Sequence, residues 1–428
     1  MLIRTNVIAA AIVLLQVAPP KPQPNATAFI GLTLIDGQGG AAVANAVLVV
    51  RDGRIAAAGP ADSTRVPPDV QRVDLSGRFV MPGLVNAHGH AAATVGLENR
   101  AEGYTEENLR RQLGLYARYG VTTVVSLGDD RDAGFRLRDE NDKEGLHRAR
   151  LYVAGPVITA GTPETARAAV DAAAKLKPDW IKIRLDDNLG TTDKMRPEVY
   201  RAIIDRAHEH KLRVAAHLFY LADAKDLLRA GVDFIAHSIR DAPVDDEVIG
   251  LMKSRSVCLC PTLMREVSTF VYESRPAFFD DPFFRREADP QVLAALENPD
   301  RQAATAKNPS AQRYKKALEV ARGNLLALHR AGIRIAAGTD TGPPARFQGY
   351  FEHLELEEMV KAGLTPAQVI VSATSDAARC LGLADRLGTL QPGRAADFIV
   401  LSRNPLVDVR HTRDVEAVWI SGNRVPEH

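Results

Sequence analysis

The sequence predicts an α/β fold, a (β/α)8 TIM barrel with a small composite β-sandwich domain that both chain ends form. Eight apolar, β-branched runs alternate with helical patterns through the middle of the 428-residue chain. That alternation is the order of elements in such a barrel. Strand-like runs also stand before residue 83 and after residue 383, so the two ends are expected to share one sheet domain.

The first 24 residues are predicted to be a signal peptide and a Pro-rich spacer. Arg4 precedes an apolar run from Val7 to Val17, which is shorter than the roughly 20 residues of a membrane span and has the layout of a secretory signal. We therefore expect a periplasmic or secreted protein with no stable membrane span after processing. An uncleaved anchor is the alternative, because Pro19 directly after Ala18 is unfavourable for cleavage.

Residues 25–82 are predicted to form strands joined by tight turns. Asp-Gly, Ala-Gly and Ser-Gly dipeptides close the runs AFIGLTLIDG, AVLVVRDGRIAAAG and VQRVDLSGRFV. The segment 384–428 repeats the pattern in AADFIVLSRNP and VEAVWISGNRV. We expect 25–82 and 384–428 to build the composite domain, and 83–383 to build the barrel.

The barrel strands are predicted from apolar runs, and the helices between them from amphipathic spacing with Pro near the start or Gly after the end. The predicted strands are 83–88, 121–128, 151–156, 180–185, 213–218, 234–238, 257–263 and 333–339. The clearest predicted helices are 105–119, 163–176, 197–210, 222–230 and 317–331.

One connection, 264–310 between strands seven and eight, is too long for an ordinary barrel loop. It has no clear period and carries aromatic residues among charges and prolines. A long strand-to-helix excursion of a barrel often forms a lid or a substrate wall. A packed surface insertion or an oligomer contact is the alternative, and the sequence does not choose between them.

Composition restricts the partners. The 54 Lys+Arg nearly balance the 53 Asp+Glu and form no basic block, so no nucleic acid is expected. A small-molecule or short-peptide substrate is expected, and a homo-oligomer stays open. Cys258 and Cys260 alternate with apolar residues in a predicted strand, so we interpret them as small core residues and expect no dependence on disulfides.

Polar residues stand where the predicted strands end. His88 and His90 lie two apart after strand one, so a strand would turn both imidazoles to one face. Taken alone, this pair is either half of a metal site or a turn. Lys182, His217, His237 and Asp340 follow at strands four, five, six and eight. In a barrel the carboxyl ends of the strands meet at one mouth, which predicts a shared site.

Lys182 stands between two isoleucines in its predicted strand. An ammonium offers only donors and is a poor metal ligand, but burial and nearby cations favour the neutral amine. That amine can add carbon dioxide to become a carbamate with two oxygen ligands. The alternative is a structural lysine paired with Asp186 or Asp187, beside a single metal.

These motifs together resemble the amidohydrolase superfamily of metal-dependent hydrolases. The motifs are PGLVNAHGH, DWIKI, VAAHLFY, VDFIAHS and GTDTG, with GTLQPGRAADFIVLSRNPL as the closing segment. The chain is most similar to the imidazolonepropionase-like or prolidase-like branch, in which the strand-four residue is a lysine. It departs from many relatives in Leu218 to Tyr220 after strand five, and in Ala236 where many have Glu, which leaves the substrate in doubt.

The resemblance implies two divalent metal ions, with zinc as the first expectation and manganese or iron as alternatives. His88 and His90 would hold the more buried ion, His217 and His237 the second, and Lys182, carboxylated by carbon dioxide, would bridge the two. Asp340 would be both a metal ligand and the catalytic proton shuttle for a metal-bridging hydroxide.

Three residues are candidates for substrate binding. Arg184 lies two residues beyond Lys182 and shares its face, so it could clamp a substrate carboxylate. Tyr220 and Arg240 stand in the loops three residues past His217 and His237. Loop packing or a salt bridge is the alternative for each. Other histidines, including His208, His210 and His353, are expected on solvated helix faces; for His353, which follows strand eight, an approach to the mouth is the alternative.

The function expected from the resemblance is hydrolysis of a carbon–nitrogen amide bond, in a small N-acyl amino acid or a dipeptide. A dipeptidase-like or carboxypeptidase-like enzyme would fit. A lactonase, an esterase or a cyclic-amide hydrolase could use the same metal centre. A non-catalytic metal-binding relative is the distant rival, since a fold alone does not establish activity.

Overall fold

The computed structural model describes residues 26–427, and the predicted signal peptide and spacer, 1–24, lies outside them. Within that range no helix combines the length and apolar composition needed to cross a membrane. The strands are β1 (Ala26–Leu34), β2 (Val43–Arg51), β3 (Arg54–Pro60), β4 (Gln71–Asp74), β5 (Phe79–Pro82), β6 (Leu84–Gly89), β7 (Thr94–Val95), β8 (Glu98–Asn99), β9 (Val121–Ser126), β10 (Arg150–Val153), β11 (Val157–Ile158), β12 (Ile181–Arg184), β13 (Val214–His217), β14 (Phe234–Ile235), β15 (Cys258–Leu259), β16 (Phe398–Leu401), β17 (Val415–Ile420) and β18 (Asn423–Arg424).

The helices alternate with the central strands as expected. They are α1 (Glu106–Arg118), α2 (Asp132–Arg138), α3 (Pro163–Lys175), α4 (Pro197–Glu209), α5 (Leu221–Ala230), α6 (Asp246–Arg255), α7 (Leu263–Phe270), α8 (Pro282–Arg285), α9 (Pro290–Leu296), α10 (Pro299–Lys307), α11 (Pro309–Arg330), α12 (Tyr350–Lys361), α13 (Pro366–Ser372) and α14 (Ser375–Leu381).

The barrel is built from two parallel sheets, β10-β9-β6 and β11-β12-β13-β14-β15. Backbone hydrogen bonds join them: Asp179 N donates to Val153 O at one seam, and Ala87 N donates to Ala337 O at the other. The predicted eighth strand, 333–339, is reduced to one bridge between Ile335 and Leu259. Its end cannot continue a ladder, because Asp340 has a left-handed φ of 59°.

The strands of the two chain ends form one sheet in the order β18-β17-β16-β5-β1-β2-β3, with β4 beside β1. This sheet curls over itself. Phe29 of β1 lies 4.9 Å, between ring centroids, from Trp419 of β17, although two strands separate them. Arg54 of β3 also bridges to Ala395, just before β16. The curl encloses an apolar layer of its own beside the barrel.

The long connection after strand seven is helical, and it packs against the barrel. It contains α7 to α10, and its aromatic residues join Tyr119, just after α1, and those of α12 in one buried cluster. Phe279 and Phe284 stack within it with centroids 5.8 Å apart. Of the alternatives that the sequence left open, a packed insertion is therefore the one that accounts for the burial of these aromatic side chains.

Cys258 and Cys260 are buried core residues, as expected, but Cys258 also forms a disulfide that the sequence did not indicate. Cys258 in β15 and Cys380 in α14 form a disulfide, with Cα atoms 6.0 Å apart and a sequence separation of 122. Cys260 is a buried free thiol. The bond was not predicted because the partner of Cys258 comes from a helix that follows strand eight, and sequence spacing does not reveal that proximity.

Candidate metal centre

The six side chains expected at the barrel mouth lie at neighbouring strand ends. They are His88 and His90 at the end of β6, Lys182 in β12, His217 as the last residue of β13, His237 just after β14, and Asp340 after the Ile335 bridge. The imidazoles of His88 and His237 lie 4.6 Å apart, and those of His217 and His237 lie 4.1 Å apart, between ring centroids. The parallel sheets therefore bring the side chains into one cluster.

His88 has one ring nitrogen fixed by the protein and one turned to the cluster. Its Nδ1 donates to the carbonyl oxygen of Ala236 at 2.8 Å. The other nitrogen, Nε2, consequently keeps its lone pair, and it lies 3.3 Å from Nζ of Lys182 and 3.4 Å from Oδ1 of Asp340. Burial holds the pKa of His88 well below its usual range, so the imidazole is neutral, the form that binds metal ions.

His90 and Asp340 complete the first half of the cluster. Nε2 of His90 lies 2.8 Å from Oδ1 of Asp340, and one donor atom from each of His88, His90 and Asp340 falls within 4.8 Å of the others. Although burial opposes ionisation of Asp340, the nearby Arg346 holds the pKa of its carboxyl well below the usual range. Arg346 donates to Oδ2 of Asp340. Two imidazoles and a carboxylate make a ligand set suited to zinc.

His217 and His237 are each oriented by a second hydrogen bond. Nε2 of His217 donates to Oδ2 of Asp186 at 2.7 Å, and Nδ1 of His237 lies 2.6 Å from Oγ1 of Thr262. The remaining ring nitrogens have no hydrogen-bond partner in the described residues. Burial lowers the pKa of His217 to about 3. A carboxylate that fixes the far nitrogen of a histidine is a common support for metal ligands.

Lys182 is buried without an acidic partner. It is 4% exposed, and burial lowers its pKa to about 8. Within residues 26–427 its Nζ forms no salt bridge, and its hydrogen-bond partner is Nε2 of His88. The alternative pairing is not formed, because Asp186 accepts from His217, and Asp187 accepts from Tyr220 at 2.9 Å.

The three residues predicted for substrate binding have different surroundings. Arg184 is exposed at the end of β12, pairs in register with His217 and donates to Asn188. The hydroxyl of Tyr220 is occupied by Asp187. The side chain of Arg240 is fully buried, and its guanidinium lies 4.7 Å from the centroid of the Phe219 ring. Of these three, Arg184 keeps a side chain that a ligand could reach.

Arg240 supports the loops from inside. Its Nη1 donates to the carbonyl oxygens of Leu218 and Ser238, and its Nε lies 3.0 Å from Glu266. The carbonyl groups that follow His217 and His237 are thereby tied to one guanidinium. Arg240 thus fixes the loop segments beside both histidines.

Sequence reasoning missed three residues that contact the cluster. Asp186 was considered only as a partner of Lys182, whereas Thr262 and Arg346 were not singled out. Asp186 lies four residues after Lys182 at the same strand end, so its position was a usable signal. Thr262 and Arg346 come from separate loops, and no spacing in the sequence indicates that they reach His237 and Asp340.

The histidines outside the cluster include both exposed and buried residues. His208 and His210 are at the surface and pair with Asp233 and Asp171, as expected. The expectation for His353 was wrong, because it is 1% exposed. Its ring lies between Thr412 and the carbonyl oxygen of Tyr119, where it links α12 to the end of α1 and to the C-terminal segment.

Comparison with known proteins decides the family. The model of the amidohydrolase family matches residues 79–425. The chain belongs to the amidohydrolase family. The resemblance inferred from the motifs is thus confirmed, and so is the expectation of a hydrolase that acts on carbon–nitrogen bonds.

Individual amidohydrolase relatives cover most of the chain. An uncharacterized protein of Mycobacterium tuberculosis is 28% identical over 344 residues, which is 77% of this chain and 80% of the relative. The imidazolonepropionase of Rhizobium rhizogenes is 25% identical over 382 residues, 84% and 88% of the two chains. A solved structure of a proposed prolidase from Bifidobacterium longum has a TM-score of 0.75 and 28% identity, and covers 94% and 95%.

These matches support the imidazolonepropionase-like and prolidase-like branch, and the barrel fold with them. Members of the amidohydrolase family generally use divalent metal ions, and the donor atoms of His88, His90 and Asp340 fit such an ion. The described residues therefore provide a candidate metal centre at the mouth of the barrel.

Proposed function

We propose that this protein is a two-metal amidohydrolase that cleaves the amide bond of a dipeptide or a small N-acyl amino acid. The observation that carries the proposal is Lys182. A buried lysine without an acidic partner is costly as an ammonium, yet here it lies beside His88 and among neutral imidazoles. Conversion to a carbamate by carbon dioxide would turn it into a second anionic oxygen ligand beside Asp340, placed among the neutral imidazoles.

The chain offers enough ligands for two ions. Five side chains, His88, His90, His217, His237 and Asp340, have nitrogen or oxygen donors turned to the cluster, and a carbamate on Lys182 would add two oxygens. Nitrogen and oxygen donors of this kind suit zinc and also manganese or iron. When bound, two such ions lower the pKa of a water to roughly 7 and polarise a carbonyl group.

Asp340 is the residue proposed to move the proton. Its Oδ1 lies between Nε2 of His90 and Nε2 of His88, and its other oxygen accepts from Arg346. A carboxylate in this position can take a proton from the attacking water and deliver it to the leaving nitrogen. Arg346 would fix the rotamer of Asp340 during that transfer.

Arg184 is proposed to bind the carboxylate on the leaving side of the substrate. It is exposed beside His217, and a guanidinium can bind a carboxylate with two parallel hydrogen bonds. We expect Arg184→Met to raise KM for substrates with a free carboxylate and to leave the KM of the corresponding amides unchanged. Unchanged kinetics on the carboxylate substrates would remove Arg184 from the pocket.

Metal content per chain tests the proposal directly. Protein grown with zinc and bicarbonate is compared with Lys182→Ala by elemental analysis, with Lys175→Ala on the surface of α3 as the matched control. We expect two ions in the wild type and in the control, and one or none in Lys182→Ala. One ion in all three proteins would exclude the bridging carbamate and favour mononuclear chemistry.

Activity is then measured on libraries of dipeptides, N-acyl amino acids, lactones and esters. The proposal requires hydrolysis of amides by the metal-loaded protein and loss of turnover in Asp340→Asn. Preference for lactones or esters would keep the centre and change the reaction. A metal-loaded protein that is inactive on all libraries would favour a non-catalytic relative.

We also propose export to an oxidising compartment. The predicted signal at 1–24 motivates this, and the disulfide between Cys258 and Cys380 supports it, because such bonds persist in secreted and periplasmic proteins and are rare in the cytosol. Cell fractionation followed by mass spectrometry of the mature amino terminus would test it. A reduced, full-length protein in the cytoplasm would contradict it, and a full-length membrane-bound form would indicate the uncleaved anchor.

A further inference from the structure

A cavity of about 370 Å³ opens beside the candidate metal centre. His90 lies on its wall, together with Ala92, Ala101, Asp129 and Arg131. The cavity thus adjoins the first half of the ligand cluster, and it offers room for a substituent next to a carbonyl group held there. None of the three residues predicted for substrate binding lines it.

Asp129 is the acid of this wall that no other residue uses. Its side chain is exposed, and within residues 26–427 it forms neither a salt bridge nor a hydrogen bond. The neighbouring acid differs, because Asp130 is buried and accepts from the backbone N–H groups of Ala154 and Gly155. Asp129 therefore carries a carboxylate that faces the cavity without a protein partner.

The backbone holds Asp129 close to the centre. Asp129 has a left-handed φ of 63°, a conformation that costs free energy for residues other than glycine. The preceding Gly128 runs so close to the site that its carbonyl oxygen lies 3.4 Å from Nδ1 of His90. A Cβ on Gly128 would come within 3.6 Å of Cγ of Lys182.

The positive charge on the same wall is already engaged. The guanidinium of Arg131 lies 5.7 Å from the ring centroid of Tyr104, and Arg131 donates to the carbonyl oxygen of Ala101. No salt bridge joins Arg131 to Asp129 in the described residues. A cationic group of a ligand would consequently meet an open carboxylate on this wall.

We propose that Asp129 binds the α-ammonium group of the residue on the acyl side of the scissile bond. This inference rests on the proposed function and narrows it to dipeptides with a free amino terminus. A peptide α-amine has a pKa of about 7.7 to 8.0 and is mostly protonated at pH 7. N-acylation removes that charge, so N-acyl amino acids would lose the contact.

The kinetic test compares each dipeptide with its N-acetylated form at pH 7, using zinc-loaded wild type, Asp129→Asn and Asp193→Asn. Asparagine tolerates the left-handed backbone, and Asp193 is an exposed acid outside the cavity that has no partner among residues 26–427. We expect Asp129→Asn to raise KM for free dipeptides at least ten-fold and to change kcat less than two-fold. The N-acetyl substrates and Asp193→Asn should show no such change, and equal KM values in wild type and Asp129→Asn would overturn the inference.

Binding separates this inference from the proposed function. If the wild type hydrolyses neither the free dipeptides nor their N-acetylated forms, the proposed function fails. Calorimetry with L-alaninamide and N-acetyl-L-alaninamide then still tests whether Asp129 binds a cationic amine. Tighter binding of the cationic amide by wild type, lost in Asp129→Asn, supports the subsite. Equal binding of both amides overturns the inference. Loss of a zinc ion in Asp129→Asn would also overturn it, and so would faster hydrolysis of N-acetyl-lysyl dipeptides than of dipeptides with a free amino terminus.

Discussion

Replacing Asp186 with asparagine should weaken metal binding through His217. The carboxylate of Asp186 uses both oxygens, one for Nε2 of His217 at 2.7 Å and one for the backbone N–H of Asn188 at 2.9 Å. Asparagine offers a single oxygen, so one of the two donors must face an NH2 group. The ring of His217 then loses either its orientation or the negative charge that raises its basicity.

The expected size of this effect follows from that support. Removing a hydrogen-bonded partner of a metal ligand typically costs 10- to 100-fold in affinity, which is about 1.4 to 2.7 kcal/mol. The assay is competition for zinc against a chromophoric chelator at fixed pH and bicarbonate. If two ions bind as proposed, the ion held by His217 and His237 should show the whole change, because His217 belongs to that half of the cluster.

Asp187→Asn is the matched control, since Asp187 is the next residue and contacts Tyr220 rather than a histidine. Its zinc affinity should stay within two-fold of the wild type, and both variants should keep the wild-type melting temperature within about 2 °C, as expected for a cost near 1 to 2 kcal/mol. Equal zinc affinity in Asp186→Asn and wild type would refute the reasoning, and so would equal losses in the two variants.

Three further predictions concern stability. Burial lowers the pKa of His353 to about 4, so as the pH drops the unfolded state takes up the proton before the folded state does. The free energy of unfolding should therefore fall by about 3 kcal/mol between pH 6.5 and pH 4. Urea unfolding of His353→Gln should show a weaker pH dependence over that window. Glu355 accepts from two backbone N–H groups at the start of α7, so Glu355→Gln should cost about 1 to 3 kcal/mol and speed limited proteolysis of the insertion. Cys258→Ser opens a loop of 122 residues, which should lower the free energy of unfolding by about 5 kcal/mol and the Tm by about 5 °C. Reductant should lower the Tm of the wild type but not that of the variant.

The parts of the site that follow a local period could be predicted from the sequence. The two-residue spacing of His88 and His90 on a strand, and the position of Lys182 between two isoleucines, determine which face each side chain takes. The alternation of strands and helices then brings those faces to one mouth. Only the family resemblance gave these residues individual roles, because the periodicity of a strand predicts where a side chain points and not what it does chemically.

The helices of the insertion had a signal that was missed. Each of α8, α9, α10 and α11 begins at a Pro that follows an Asp or Asn cap: Asp281, Asp289, Asn298 and Asn308. A cap followed by Pro at the first helical position is a strong start signal. The segments between the caps are short, so the helical period was hidden although the starts were marked.

Contacts between distant segments could not be predicted in the same way. His353 lies in a helix whose sequence shows no clear apolar face, and it is buried only because Tyr119 and Thr412 meet there. The Cys258–Cys380 bond depends on the same kind of proximity. The burial of His353 and the Cys258–Cys380 bond both depend on the complete fold, because the sequence around these residues does not indicate which distant segment they contact.

The departure at Ala236 has a similar explanation. Where many relatives have Glu before the strand-six histidine, this chain has a residue without a functional side chain, yet its backbone carbonyl oxygen accepts from Nδ1 of His88. A backbone acceptor at this position is available whatever the side chain is. The ring of His88 is therefore oriented without a carboxylate at position 236. If Asp129 and Arg184 act as proposed, the selection of substrates would depend on the loop after strand two and on the end of strand four.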